Sequence, residues 1–136
     1  MDIDKARAFI KDNHRAVMMT YRRSGGPQLT PVAVGLDGEG RAIVSTRETA
    51  YKVHNLRRDP RVSLCVFVDE FYGEWIQIDG RADVVSLPDA MEPLVDYYKR
   101  TWGEHPDWDE YREAMEKEKR VLLRIEIDRA GPDKKG

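Results

Sequence analysis

Residues 45–64 carry five basic side chains and one histidine: Arg47, Lys52, His54, Arg57, Arg58 and Arg61. The hydroxyls of Ser45, Thr46 and Thr49 precede most of them, and Asp59-Pro60 closes the stretch. Residue types of this kind can hold an anion. Ala50, Val53 and Leu56 are spaced as one helix face, with Thr49 as the expected N-cap and Pro60 as the stop. Backbone N–H groups in a first helical turn lack intrahelical partners, and the helix dipole adds partial positive charge there. Lys52, expected at the third helical position, reaches the same spot, and Arg47, Ser45 and Thr46 approach from the preceding strand. The result is a seat suited to phosphate. A solvated helix face accounts for the same charges equally simply, with Lys52, Arg57, Arg58 and Arg61 pairing with Glu48 and Asp59. The spacing alone leaves both readings open.

Other chemistry is thinly represented. His14, His54 and His105 sit in unrelated segments and show neither metal-ligand spacing nor a nucleophilic triad. The single cysteine, Cys65, excludes an intrachain disulfide and multi-thiolate metal sites. It lies in the apolar run 62–68 and reads as a small buried hydrophobe. The aromatics Tyr72, Trp75, Trp108 and Tyr111 read as packing residues, and His105 reads as a loop residue. No metal ligand set and no catalytic side chain is nominated.

The 136 residues, 40% hydrophobic and 35% charged, fit one globular domain spanning 1–136, with a polar tail from about residue 129. Lysine and arginine total 23 against 25 aspartates and glutamates, a net charge of −2, which argues against a nucleic-acid binder. No apolar run approaches the ~18 residues of a membrane helix, and the start MDIDKARAFIKD is no signal peptide, so a cytoplasmic location is expected.

The elements that must position the basic residues follow from periodicity. Ile3, Ala6, Phe9 and Ile10 mark a short amphipathic helix. Short apolar runs at 16–21, 29–36, 41–46, 62–68, 75–85 and 121–128 read as six strands, most joined by Gly- or Pro-containing turns. Pro31 demands an edge or bulge in its strand, and Gly80 marks a bulge or sharp bend in its own. Two further helices are expected. One opens at Pro88 with Met91, Leu94, Val95 and Tyr98 inward. The other is capped by Asp107, with Trp108, Tyr111 and Met115 inward. Turns too short for parallel crossovers make this a mainly β (α+β) chain, a small antiparallel barrel with peripheral helices.

The order of these pieces, with PQLTPV (27–32), then Lys52 with NLRRDPR (55–61), then GEHPDW (103–108) and Tyr111-Arg112, resembles the flavin- and deazaflavin-dependent split β-barrel family. Its best-known member type is pyridoxamine 5′-phosphate oxidase. The segments are most similar to its actinobacterial branch, which uses coenzyme F420. The similarity spans about residues 9–127. It implies a six-stranded split barrel of the FMN-binding type, acting as a homodimer with cofactor sites at the subunit interface. It implies coenzyme F420, or alternatively FMN, with the phosphate on Lys52 and the ring edge along Gln28, Thr30 and Val32. Ser45 and Asn55 become supporting contacts. Arg47 replaces an arginine that relatives carry where this chain has Ala50. Arg57, Arg58 or Arg61 lies along the path of a carboxylate tail, and aromatics such as Tyr72 and Trp75 come from the partner subunit. The implied activity is hydride transfer from the reduced deazaflavin to a conjugated small-molecule acceptor: an enone, a quinone or a tetrapyrrole such as biliverdin. The alternatives are an FMN-dependent oxidase of pyridoxamine 5′-phosphate type and a non-catalytic carrier of flavin, deazaflavin or haem.

Overall fold

In a computed structural model describing residues 1–132, six antiparallel strands close into a barrel. Of the polar tail expected from about residue 129, residues 129–131 belong to the closing strand, and residues 133–136 lie outside the described residues. The chain runs α1 (Ile3–Asp12), β1 (Arg15–Tyr21), β2 (Pro27–Leu36), β3 (Ala42–Arg47), α2 (Tyr51–Arg58), β4 (Arg61–Phe67), β5 (Trp75–Val85), α3 (Met91–Trp102), α4 (Trp108–Lys117) and β6 (Arg120–Gly131). Around the barrel the order is β1-β2-β3-β6-β5-β4, with β4 returning to pair with β1. Strand alternation sends Ala16, Met18, Val34, Val44, Leu64, Val66, Ile78 and Leu123 inward. Burying that face is the main force closing the barrel. Ala6 and Ile10 of α1 and Val53 and Leu56 of α2 join the same core. A second core forms outside the barrel, where α3 and α4 cover Ile43 and Leu122.

The barrel is split between β2 and β3. All of β3 pairs with β6, but only Val34, Gly35 and Leu36 of β2 pair with β3. The earlier half of β2 pairs with β1 alone. Pro31, which has no N–H to give, sits in that one-sided half as its chemistry requires. Gly80 falls at the register shift between β5 and β6, where an added Cβ would collide with the Glu126 carbonyl oxygen.

Several expectations shift. Thr49 is not the cap of α2. Ala50 is, in extended conformation and without a side-chain hydrogen bond, because a turn held by the Ala50 N–H donating to the Arg47 carbonyl delays the helix. Lys52 is therefore the second helical residue rather than the third. The α3 helix begins at Met91 after a turn at Pro88, and its buried face takes Tyr97 instead of Tyr98. Cys65 is half-buried on the outer sheet face, since Val62, Leu64 and Val66 occupy the inner one, and burial pushes its thiol pKa up. The closing strand runs on to Gly131, because β5 is long enough to pair Gln77 with Gly131 and Ala130 packs into the core. Capping of α4 by Asp107, which accepts from the Glu110 N–H, is as expected.

Candidate functional site

The ends of β1, β2 and β3, together with α2, gather most of the nominated residues at one mouth of the barrel. Gln28, Thr30 and Val32 share a face of β2, all partly buried, along the half that lacks a β3 partner. Asn55, on α2, is 6% exposed and fully engaged. Its amide nitrogen donates to Gln28 Oε1 at 2.9 Å and to Thr20 Oγ1 at 3.1 Å. Its carbonyl oxygen accepts from Arg58 Nη2 at 3.0 Å, and the same guanidinium donates to the Tyr21 carbonyl at 2.7 Å. Asn55 and Arg58 therefore strap α2 to the β1–β2 hairpin, which sets the helix start relative to the open strand edge.

The other arginines of the basic stretch are occupied by acids. Arg57 pairs with Glu48 at 2.6 Å and donates to Ser86 Oγ at 3.0 Å, and hydrogen bonding to Arg57 holds the Glu48 carboxyl below its ordinary pKa. Arg61 pairs with Asp59 at 2.7 Å and lies over the Tyr21 ring. Both satisfy the solvated-face expectation, and as exposed ion pairs they contribute little to stability. Arg47 reaches Glu118 at 3.5 Å and is largely exposed.

Lys52 differs from all of these. It is half-buried, and no carboxylate among the described residues lies within salt-bridge distance. Among the described residues its ammonium donates to Thr46 Oγ1 at 3.4 Å. Burial pushes its ammonium pKa down, and the neighbouring Arg120 guanidinium pushes it further. Beside it, the backbone N–H groups of Tyr51 and Lys52 find no acceptor in the Ala50 side chain, so the first turn keeps donors without a partner among the described residues. An unpaired half-buried cation, a second cation and uncapped N–H groups converge on one spot, and that donor set fits a phosphate.

Some nominated residues stand apart. Ser45 and Arg47 project from the opposite face of β3 to buried Thr46. Trp75 begins β5 opposite Phe67, while α2 packs by the Arg61 end of β4; six strand steps, roughly 20 Å, separate them. Within one chain Trp75 does not join the site. Sequence reasoning missed Arg120, which pairs with Glu118 at 2.9 Å and lies opposite Arg47 in register. It also missed Arg22 and Arg23, which with Gln28, Tyr51, His54, Asn55 and Arg58 line a groove of about 540 Å³ beside the start of α2. The dipeptide Arg22-Arg23 before a Gly-Gly turn was the available signal.

No group of three or more His, Cys, Asp or Glu side chains among the described residues could hold a metal ion, and no described helix is long and apolar enough to cross a membrane. His105 is a loop residue, its Nδ1 accepting from the Asp107 N–H at 2.9 Å while its ring packs on Tyr98.

Known proteins match this architecture along its length. An F420H2-dependent biliverdin reductase of Mycobacterium tuberculosis is 25% identical over 126 residues, 93% of this chain and 84% of that protein. The crystal structure of a conserved hypothetical protein from the same species superposes with a TM-score of 0.76 at 26% identity, covering 96% of this chain and 82% of the other. An F420 reductase structure superposes with a TM-score of 0.70 at 17% identity, covering 92% and 94%, a likeness of fold. The family model for pyridoxamine 5′-phosphate oxidase matches residues 3–132. With the split barrel and that match together, the chain belongs to the pyridoxamine 5′-phosphate oxidase family.

Proposed function

We propose that this chain is an oxidoreductase that uses coenzyme F420 and passes a hydride from the reduced deazaflavin to a conjugated small-molecule acceptor. The observation that carries this reading is Lys52, a half-buried ammonium without an acidic partner at an uncapped helix start beside the open edge of β2. The bound deazaflavin would supply the hydride, and this chain's residues would bind and orient. Lys52 and the Tyr51 and Lys52 N–H groups would hold the phosphate, with Arg120 and Arg47 adding positive potential. Gln28, Thr30 and Val32, held in place through Asn55, would line the ring edge. The groove with Arg22, Arg23 and Arg58 offers positive charge beyond the phosphate, which favours a cofactor with a carboxylate tail over FMN.

A homodimer would complete the site. The outer faces of β1, β2, β4 and β5 present Val17, Met19, Leu29, Pro31, Phe67 and Trp75 in adjacent cross-strand rows, with Leu29 62% and Trp75 38% exposed. A second copy on this face would bring its Trp75 toward the cleft. Light scattering would then give twice the 15.8 kDa chain mass.

The family match keeps an FMN-dependent oxidase as the second reading. The test is oxidation of reduced F420 by biliverdin, a quinone and an enone, with and without protein. Faster oxidation with protein supports the proposal. FMN binding tighter than F420 at every salt concentration, with no acceleration, selects the second reading.

A further inference from the structure

Hydrogen-bonded rungs of an antiparallel ladder recur at every second residue. Between β2 and β3 the Asp37 N–H donates to the Arg41 carbonyl at 2.9 Å, and Gly35 pairs with Ile43. The next hydrogen-bonded rung in this series is Ala33 with Ser45. The opposite parity is committed to β1, as the Val34 N–H donates to the His14 carbonyl at 2.8 Å. Pairing nevertheless stops at Val34 with Val44. In place of the missing rung stands a side chain from α3. The Tyr97 hydroxyl donates to the Ala33 carbonyl at 2.9 Å. The Ala33 carbonyl that the ladder leaves over is thus taken by a phenol.

The phenol is seated firmly. Tyr97 is 6% exposed, and burial raises its pKa, so at neutral pH it remains a donor; the Ser45 N–H, Arg120 and the Trp102 indole act weakly the other way. One turn along the same helix face, Thr101 packs so close to Gly35 that a Cβ there would collide with its hydroxyl. Gly35 therefore sets how deep α3 lies against β2, and so how far the Tyr97 oxygen reaches. Beyond this oxygen the strands run unpaired, with Gln28, Thr30 and Val32 on one side and Ser45 and Thr46 on the other.

We propose that Tyr97 is a positioning residue whose hydroxyl replaces the Ala33–Ser45 rung, stops β2 and β3 from zipping together, and so sets the width of the cofactor cleft. This rests on the functional reading above for its consequence, though not for its geometry. The hydroxyl touches backbone and acts on the bound ring only through the two strands.

The test uses Tyr97→Phe in the full chain, which keeps the ring and removes the hydroxyl. Three quantities are measured: amide exchange at Ser45, melting temperature, and affinity for FMN and F420 with the visible absorption of the saturated complex. With the hydroxyl gone the freed Ala33 carbonyl can take the Ser45 N–H, so the Ser45 amide is expected to exchange at least about tenfold more slowly. Affinity for whichever probe the parent binds is expected to fall about tenfold, with a shifted absorption band. Tyr111→Phe, which removes a buried hydroxyl bonded to the Leu94 carbonyl and away from the β2–β3 ladder, should leave affinity unchanged whatever it does to stability. Parent-like affinity and absorption in Tyr97→Phe, even with a lower melting temperature, would reduce Tyr97 to a packing role and overturn the proposal. Unchanged Ser45 exchange would overturn it as well. If the parent binds neither probe, the functional reading fails by itself, and Ser45 exchange alone decides the wedge.

Discussion

At the residue scale the account turns on Lys52. The sequence singles it out as a cation at a helix start, where the dipole disfavours one, and it is half-buried with no acidic partner among the described residues. Arg57 and Arg61 look similar in sequence, but Glu48 and Asp59 take them up. Arg120 and Tyr97 were invisible because they reach the site from elements far along the chain, through strand register and helix packing. The lysine's environment yields a pH prediction. Burial and Arg120 lower its pKa from the ordinary lysine value, so the unfolded chain binds its proton more tightly than the folded one. Lys52 thus contributes stability that rises as pH climbs from the lowered pKa toward the unfolded value. A bound phosphate acts in the opposite sense by favouring the ammonium. Cofactor affinity should therefore be highest with Lys52 charged and fall as pH rises through its lowered pKa. Titrations across that range should show the fall in the parent and lose it in Lys52→Met, which cancels titration of the cofactor itself. The same slope in both proteins would remove Lys52 from the phosphate.

At the element scale, periodicity gave every strand and helix but not their ends. Alternation of Ile76, Ile78 and Ala82 marks β5, and the interruption at Gly80 marks its bulge. The extensions of β2 to Pro27 and of β6 to Gly131 depend on how much β1 and β5 offer to pair with, which no local pattern encodes. The cap of α2 was misread for a related reason. Thr49 has the right chemistry, but the turn after Arg47 leaves Ala50 in the cap position. An alanine cap gives up about 0.5–2 kcal/mol relative to serine, threonine or aspartate. Ala50→Asp should recover roughly 1 kcal/mol by accepting from the first-turn N–H groups, raising the melting temperature. It should also place a carboxylate in the phosphate seat and weaken cofactor binding. Calorimetry and a binding titration on the same variant check both halves. A variant that melts higher and binds as tightly as the parent would move the phosphate away from this helix.

At the scale of the molecule, barrel class and strand number were legible because short strands joined by tight turns leave few alternatives. Strand order was not: β6 lies between β3 and β5 only because the last strand fills the gap those two leave. The split itself was signalled by Pro31, whose missing N–H needs an unpaired edge, but its cause lies in a tyrosine on a different element. The barrel presents an open strand edge, a basic helix start and an arginine-lined groove on one side, and an outer sheet face with Leu29 and Trp75 exposed. The central claim is that these features together form an anionic cofactor site with Lys52 at the phosphate. Fluorescence titration of F420 into the parent protein and Lys52→Ala at low salt tests it most directly. A charge-assisted contact in a partly dry site contributes about 1.5–3 kcal/mol, so the variant should bind about tenfold or more weakly with an unchanged or higher melting temperature. Equal affinity of the two proteins for F420 would contradict the account.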